Sequence, residues 1–312
     1  MQEELTLLSP ANLYPEGYPR SFTIKTITAA LRLESIGAEN LDQFLIDEVF
    51  PKCVIPIDGS VCDYKRLTLI DYYWICRALR IVSHGSIHYV GVVVCTDLSN
   101  PDKLGCNGSD ESGRIFGDHR VSLSKIGFRQ PPTDCPETFT IKADDTFIDW
   151  KWDLELRFLR VGDMLHARRD PTFRAIAVKK SKGEGIVDSF DDPVVQLCYA
   201  VTTCKGKAIE DRRELYESLA EMTDLDFDSL LAEYNDNFGK YGIEFSGITN
   251  CPKCGKEARF FVPVEERFLR PSIREKKEWR NQLINAKKTK QPIDDCDINA
   301  NVSGETSTKT AV

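Results

Sequence analysis

Apolar residues recur at helical spacing from Thr68 to His84, through Leu69, Tyr72, Tyr73, Cys76, Leu79 and Val82. Thr68 is suited to accept at the N-cap, Asp71 three residues on makes a capping-box-like start, and Gly85 stands where a left-handed C-cap residue is wanted. Arg77 and Arg80 fall on the other side of this helical wheel, which otherwise describes a core helix. The next run, His88-Tyr89-Val90-Gly91-Val92-Val93-Val94-Cys95, reads as a buried strand, and a loop rich in Asp, Asn, Ser and Gly spans residues 96–114. Alternation returns in Val121-Ser122-Leu123 and in Thr138-Phe139-Thr140-Ile141.

Ahead of the helix, Pro10, Pro15, Gly17 and Pro19 interrupt regular structure, so residues 1–25 read as an extended N-terminal arm ending in a short strand, Ser21 to Lys25. Thr28 can cap a helix to about Leu33, and a second helix is expected from Glu39 to Phe50, stopped by Pro51. After residue 150 the pattern changes. Leu154 to Leu159 reads as a strand, followed by helices over Val161–Arg168, Pro193–Thr203, Glu210–Met222 and Asp226–Lys240, the last capped by Asp224. Ile243 to Ile248 and Arg259 to Val262 are strands, and a basic amphipathic helix starts at Ser272.

The predicted class is α+β: a strand-rich zinc-ribbon core with an inserted, mostly helical module and a C-terminal helix and tail. The core takes residues 26–135 and 243–265, the α/β-to-helical insert 136–242, and the basic helix with a disordered tail 266–312. In 312 residues, 41% hydrophobic and 29% charged, there is material for this core. The net charge of −8 argues against general nucleic-acid binding, which draws on phosphate attraction. No run is long and apolar enough to span a bilayer, and Met1-Gln2-Glu3-Glu4 lacks the basic start of a signal peptide. The chain is therefore expected to remain where it is made, with no membrane partner.

Eleven cysteines, an odd number without a secretory signal, point to buried thiols or metal ligands rather than to disulfides. Cys251-Pro252-Lys253-Cys254-Gly255 carries the most specific chemistry. Two thiolates two residues apart can grip one Zn2+ from one turn, and Gly255 permits a left-handed residue that turns backbone N–H groups toward sulfur. A redox pair would open a helix, whereas here a strand follows. A structural zinc needs two further ligands. Cys95 and Cys106 are the candidates, with Cys135, Cys198, Cys204, His88 and His119 behind them. Cys53, Cys62 and Cys76 read as packing or surface residues, and Cys296 as a free thiol in the tail.

Signatures of catalysis are missing: there is no phosphate-binding P-loop, no Gly-x-Ser-x-Gly elbow and no His-Glu-x-x-His. Asp224, Asp226 and Asp228 imitate half a calcium loop, but Ser229 replaces the required glycine and Asn235 the final glutamate. They read as a helix start, Asp144, Asp145 and Asp149 as a polar turn, and His84 as a helix C-terminal residue. An enzyme is not expected, nor is a small-molecule substrate.

Four features in order resemble the baseplate hub and assembly family of T-even-type contractile-tailed phages. These are the opening Leu-x-Ser-Pro with Tyr14-Pro15 and a short strand; the helix from Leu69-Ile70-Asp71 through Arg77-Ala78-Leu79-Arg80-Ile81-Val82-Ser83-His84-Gly85; the strand delivering Cys95 into a cysteine-bearing loop; and the late Cys-Pro-Lys-Cys-Gly knuckle, followed by Phe260-Phe261-Val262-Pro263 and Phe268-Leu269-Arg270-Pro271-Ser272. The resemblance covers about residues 5–106 and 243–272. It implies a structural or assembly protein of the phage tail baseplate whose partners are other baseplate and tail proteins. Its place would be the host cytoplasm during assembly and the virion baseplate. The alternative from residues alone is a zinc-ribbon nucleic-acid-binding regulator, using the knuckle and the basic residues 267–290.

Overall fold

The computed structural model describes residues 2–36, 38, 40–97, 104–180, 188–262 and 273–289. The chain begins with β1 (Gln2–Thr6), which pairs antiparallel with β2 (Ser21–Lys25); β3 (Val54–Pro56) adds to β2 in a three-stranded sheet. The expected extended arm is thus a hairpin of the core, with Leu5, Leu7, Leu8, Leu13 and Tyr14 buried. The prolines do break strand pairing, but a distant carboxylate satisfies the backbone they leave open. Asp71 accepts from the N–H of Leu8 (2.6 Å) and Ser9 (3.2 Å) and from the Tyr14 hydroxyl (2.5 Å).

Next come α1 (Ala29–Ile36), α2 (Leu41–Phe44) and α3 (Phe50–Cys53), the last two joined by a π turn over Leu45–Val49. Pro51 does not end the helix as expected. The π turn, closed by Phe50 N–H to Leu45 O, resets the bonding pattern, so Pro51 falls in a first turn where its missing N–H costs nothing.

Helix α4 (Leu69–His84) is the axis of the molecule, buried from Ile70 to His84 except at Tyr73. Thr68 caps it by accepting from Asp71 N–H at 3.3 Å, and Gly85 leaves it at φ +80°. The capping box is not closed by Asp71. Tyr14 Oη accepts the Thr68 N–H instead, at 3.1 Å, which frees the Asp71 carboxylate for the N-terminal segment. Arg77 and Arg80 do not face solvent. Arg77 Nε donates to Leu123 O (3.1 Å), and Arg80, 0% exposed, donates to Gly85 O (2.7 Å) and Ile87 O (3.0 Å). A helix enclosed on all sides must place its charges inward, and each guanidinium finds carbonyls there.

Strand β4 (Ile87–Cys95) pairs with β5 (Arg114–Ser122), and β6 (Ile126–Arg129) follows. The insert opens with β7 (Thr138–Ile141), α5 (Ala143–Thr146) and β8 (Leu154–Arg157), then α6 (Val161–Arg169), α7 (Pro171–Lys180) and α8 (Pro193–Ala200). It closes with β9 (Val201–Cys204), β10 (Lys207–Ala208), α9 (Arg212–Ala220) and α10 (Asp224–Tyr234). Helical as it mostly is, the insert holds its own antiparallel sheet, ordered β10-β9-β8-β7. The helix expected to Thr203 stops at Ala200 because the β-branched Val201-Thr202-Thr203 run pairs with β8. Thr223, not Asp224, caps α10. Asp226 folds back to accept N–H groups from Ile148 (2.6 Å), Asp149 (3.0 Å) and Trp150 (2.9 Å), which is the use of the calcium-like acidic run. The insert is stitched to the core by Leu69 N–H to Leu159 O and Val161 N–H to Leu67 O, both 2.9 Å, and by Arg168 bridging Asp42 and Asp188. One buried cluster runs through both.

The chain then returns as β11 (Gly242–Asn250) and β12 (Glu257–Phe261), giving a five-stranded antiparallel sheet ordered β5-β4-β12-β11-β6. Only Leu123-Ser124-Lys125 joins its two edge strands. Four residue steps reach about 14 Å, less than the ~19 Å across five flat strands, so the sheet is curled, and its β11 packs against α4. Helix α11 (Ile273–Thr289) closes the structure. Glu275 is buried against Arg80 (3.2 Å) and His88 Nδ1 (2.7 Å), Glu278 takes Tyr89 and Arg120 (2.7 Å each), and Trp279 covers Gly85. The basic helix is therefore docked through its two glutamates. The tail expected beyond it, from residue 290, lies outside the described residues.

Candidate metal centre

Both loops at one end of the five-stranded sheet carry cysteines. β4 ends at Cys95, which pairs with Ala258 at the start of β12, so the β4–β5 loop and the β11–β12 turn face each other. In the β11–β12 turn, Cys251 N–H donates to Lys256 O (2.7 Å) and Gly255 N–H to Cys251 O (2.9 Å), with Gly255 at φ +75° as the knuckle requires. In the other loop, Gly105 N–H donates to Asp97 O (2.9 Å) and Cys95 N–H to Gly113 O (2.8 Å), returning Cys106 to the level of Cys95. Gly105 sits at φ +82° against Gly113 and the Cys95 carbonyl; a methyl group there would lie 2.8 Å from Gly113 Cα.

These turns bring Cys95, Cys106, Cys251 and Cys254 together, all four sulfurs within 4.8 Å of one another. Cys95 Sγ lies 3.7 Å from Cys254 Sγ, and Cys106 Sγ 3.8 Å from Cys251 Sγ. Those separations are far beyond a disulfide bond and match thiols arranged around a shared ion. Three cysteines are exposed to little or no solvent and only Cys254 is open to it.

Backbone N–H groups aim at the sulfurs in a repeating way. Asp97 and Cys106 donate to Cys95, Lys253 and Cys254 to Cys251, and Lys256 to Cys254. Three of these donors stand two residues after the cysteine they serve, so the second loop repeats the first despite its different spacing. Burial pushes the Cys251 thiol up, but the N–H groups of Cys254 and Lys253 outweigh it and leave it at about 7. At Cys254 the Lys256 N–H lowers the pKa, yet burial and the neighbouring thiols push it up to about 12. The first thiolate forms readily and the next forms only against its charge, a conflict that a bound cation removes. Lys256 Nζ ties the two loops by an ion pair to Asp97 at 2.9 Å.

The other ligand candidates stand elsewhere. Cys198 and Cys204 belong to α8 and β9 of the insert, and the Cys135 carbonyl accepts from Asn12 at 2.7 Å. His88 is taken by Glu275, and His119 Nε2 by Ile115 O at 2.9 Å. Sequence reasoning missed the Asp97–Lys256 tie, which no spacing rule signals. Together the fold and the site define a mixed helix–strand protein, built on antiparallel sheets, with a four-cysteine cluster able to hold a metal ion. Compared with known proteins, the chain matches no family model, no curated protein and no solved structure.

Proposed function

We propose that the four thiolates hold one Zn2+ in a closed structural site of zinc-ribbon type, and that the chain is a structural or assembly protein of a contractile-tail phage baseplate. The carrying observation is the sulfur spacing. A tetrahedron with Zn–S bonds of ~2.3 Å has edges of about 3.8 Å; two of the six sulfur pairs here stand at 3.7 and 3.8 Å, and all six lie within 4.8 Å. Four thiolates leave no position open for water or substrate, so the ion clamps rather than catalyses. It ties Cys95 to Cys254, 159 positions apart, and closes the sheet across the whole insert. Purified protein is expected to carry one zinc per chain. Co2+ exchanged into it is expected to give the intense sulfur-to-cobalt absorption of an all-thiolate site. A spectrum of mixed nitrogen or oxygen ligation would overturn the closed site.

The baseplate assignment rests on the ordered resemblance in residues 5–106 and 243–272, and the clamp suits a protein that works by docking. A stop codon early in the gene is expected to yield filled heads with missing or defective baseplates. Normal infectious particles would refute it.

A further inference from the structure

One face of the five-stranded sheet is buried, through Ile115, Val93, Ala258 and Phe260. On the opposite face near the cysteine cluster several large side chains are exposed, and the composition there is unusual for a solvated surface. In one row across the strands Phe116 pairs with Val92, and the β4–β12 register carries on to Phe261. Two residues along, Arg114 pairs with Val94, Val94 with Arg259, and Arg259 with Ile248. Phe116 is 67% exposed, Phe261 61% and Ile248 51%. No hydrogen bond or ion pair among the described residues engages the Arg259 side chain, whereas Arg114, itself half exposed, lies 3.8 Å from Asp110 and donates to Ser112 Oγ at 3.5 Å.

We propose that this face docks a partner protein through an amphipathic helix whose apolar stripe is flanked by carboxylates. The reading deepens the assembly role proposed above and rests on it for the identity of the partner as a tail protein. Aromatic and arginine side chains concentrated in one patch are the composition of an interface hot spot. The two rows lie ~7 Å apart along the strands. A helix laid across the strands can seat apolar side chains on Phe116, Val92 and Phe261, while carboxylates one turn aside reach Arg114 and Arg259. Charge selects among occupants. A second copy would bring two more arginines to this face and, on β12, only Glu257 to meet them. A nucleic-acid strand needs more cations than two, and here Glu257 lies exposed on the same face of β12 in a chain of net charge −8.

The test places the photocrosslinker p-benzoylphenylalanine at Phe116 in the full chain, in the cells where it is made, and maps products by mass spectrometry. Ile148, 64% exposed on the insert, is the control position. The expected product is a protein segment with carboxylates beside apolar residues, and its yield falls at least five-fold in Arg114→Glu/Arg259→Glu. Retained zinc shows that this variant is folded. Crosslinks to nucleotides, to a second copy of the chain, or at no higher yield than from position 148 would overturn the proposal. A mapped acidic partner that is not a tail component would leave the docking surface standing and remove the baseplate assignment.

Discussion

Replacing Asp71 tests how the N-terminal segment is held. Its carboxylate is fully buried and accepts from Leu8 N–H, Ser9 N–H, the Tyr14 hydroxyl and, at 3.3 Å, the Thr68 hydroxyl. In Asp71→Ala the two hydroxyls can turn to each other, since they already stand 3.3 Å apart. The two amides have no such recourse. At about 1–3 kcal/mol for each buried unpaired donor, the loss comes to about 2–6 kcal/mol. Asp71→Asn keeps one oxygen for both amides and offers its NH2 to the Tyr14 hydroxyl, which can accept instead of donate, so about 1–2 kcal/mol is expected. Urea unfolding followed by tryptophan fluorescence reads both variants. Trp74 is a local reporter because its Nε1–H donates to Thr6 O, 3.2 Å away at the end of β1. Hydrogen exchange should show the Leu8 and Ser9 amides unprotected in Asp71→Ala and protected in Asp71→Asn. Equal losses in the two variants, or a loss under ~1 kcal/mol in Asp71→Ala, would refute this account of the hairpin.

Cys106→Ser is expected to abolish stoichiometric zinc retention, while Cys62→Ser, remote from the cluster, keeps it; metal analysis after dialysis against a chelator decides. Burial first, then the charges of Arg80, Arg32 and Lys276, depress His84 from its ordinary 6.5 to about 3. It stays neutral in the folded chain while the unfolded chain takes up a proton below pH 6.5. Stability should therefore fall with pH between about 6.5 and 3, by about 1.4 kcal/mol per unit, and urea midpoints of His84→Gln should lack that component. Gly85→Ala should cost more than ~2 kcal/mol, because its φ of +80° disfavours a side chain and the new methyl would lie 2.5 Å from Trp279. Red-shifted tryptophan emission would show α11 loosened at that contact, and unchanged emission would refute the packing. Glu275→Ala strands Arg80 without a counter-charge and should destabilise by about 3–5 kcal/mol, measured by urea unfolding.

Local chemistry was legible wherever its cause was local. Thr68 and Gly85 bound α4 because a cap needs only the adjacent backbone, and Cys251 to Gly255 form a knuckle because the turn is written in five residues. Cys95 and Cys106 were reachable from position alone, one at the end of a strand and the other in a turn, and the structure brings them to Cys251 and Cys254. Misreadings arose where a partner was distant in the chain. Prolines 10, 15 and 19 do forbid pairing, but nothing near them announces that Asp71, some 60 positions on, will satisfy the backbone. Arg77 and Arg80 occupy the polar side of a helical wheel, yet the wheel is silent about the carbonyls of Leu123, Gly85 and Ile87.

By itself, then, the sequence located α4 with its caps, the strand that ends at Cys95 and the knuckle at Cys251–Gly255, and it picked out which thiols have ligand spacing. Only the tertiary structure decided that the N-terminal segment is core, that the insert carries its own sheet, and that α11 docks through buried Glu275. The division follows the range of the interactions. Propensities and caps act within a turn or two, whereas the pairing of a buried charge or an open backbone group is settled by whatever the fold brings beside it.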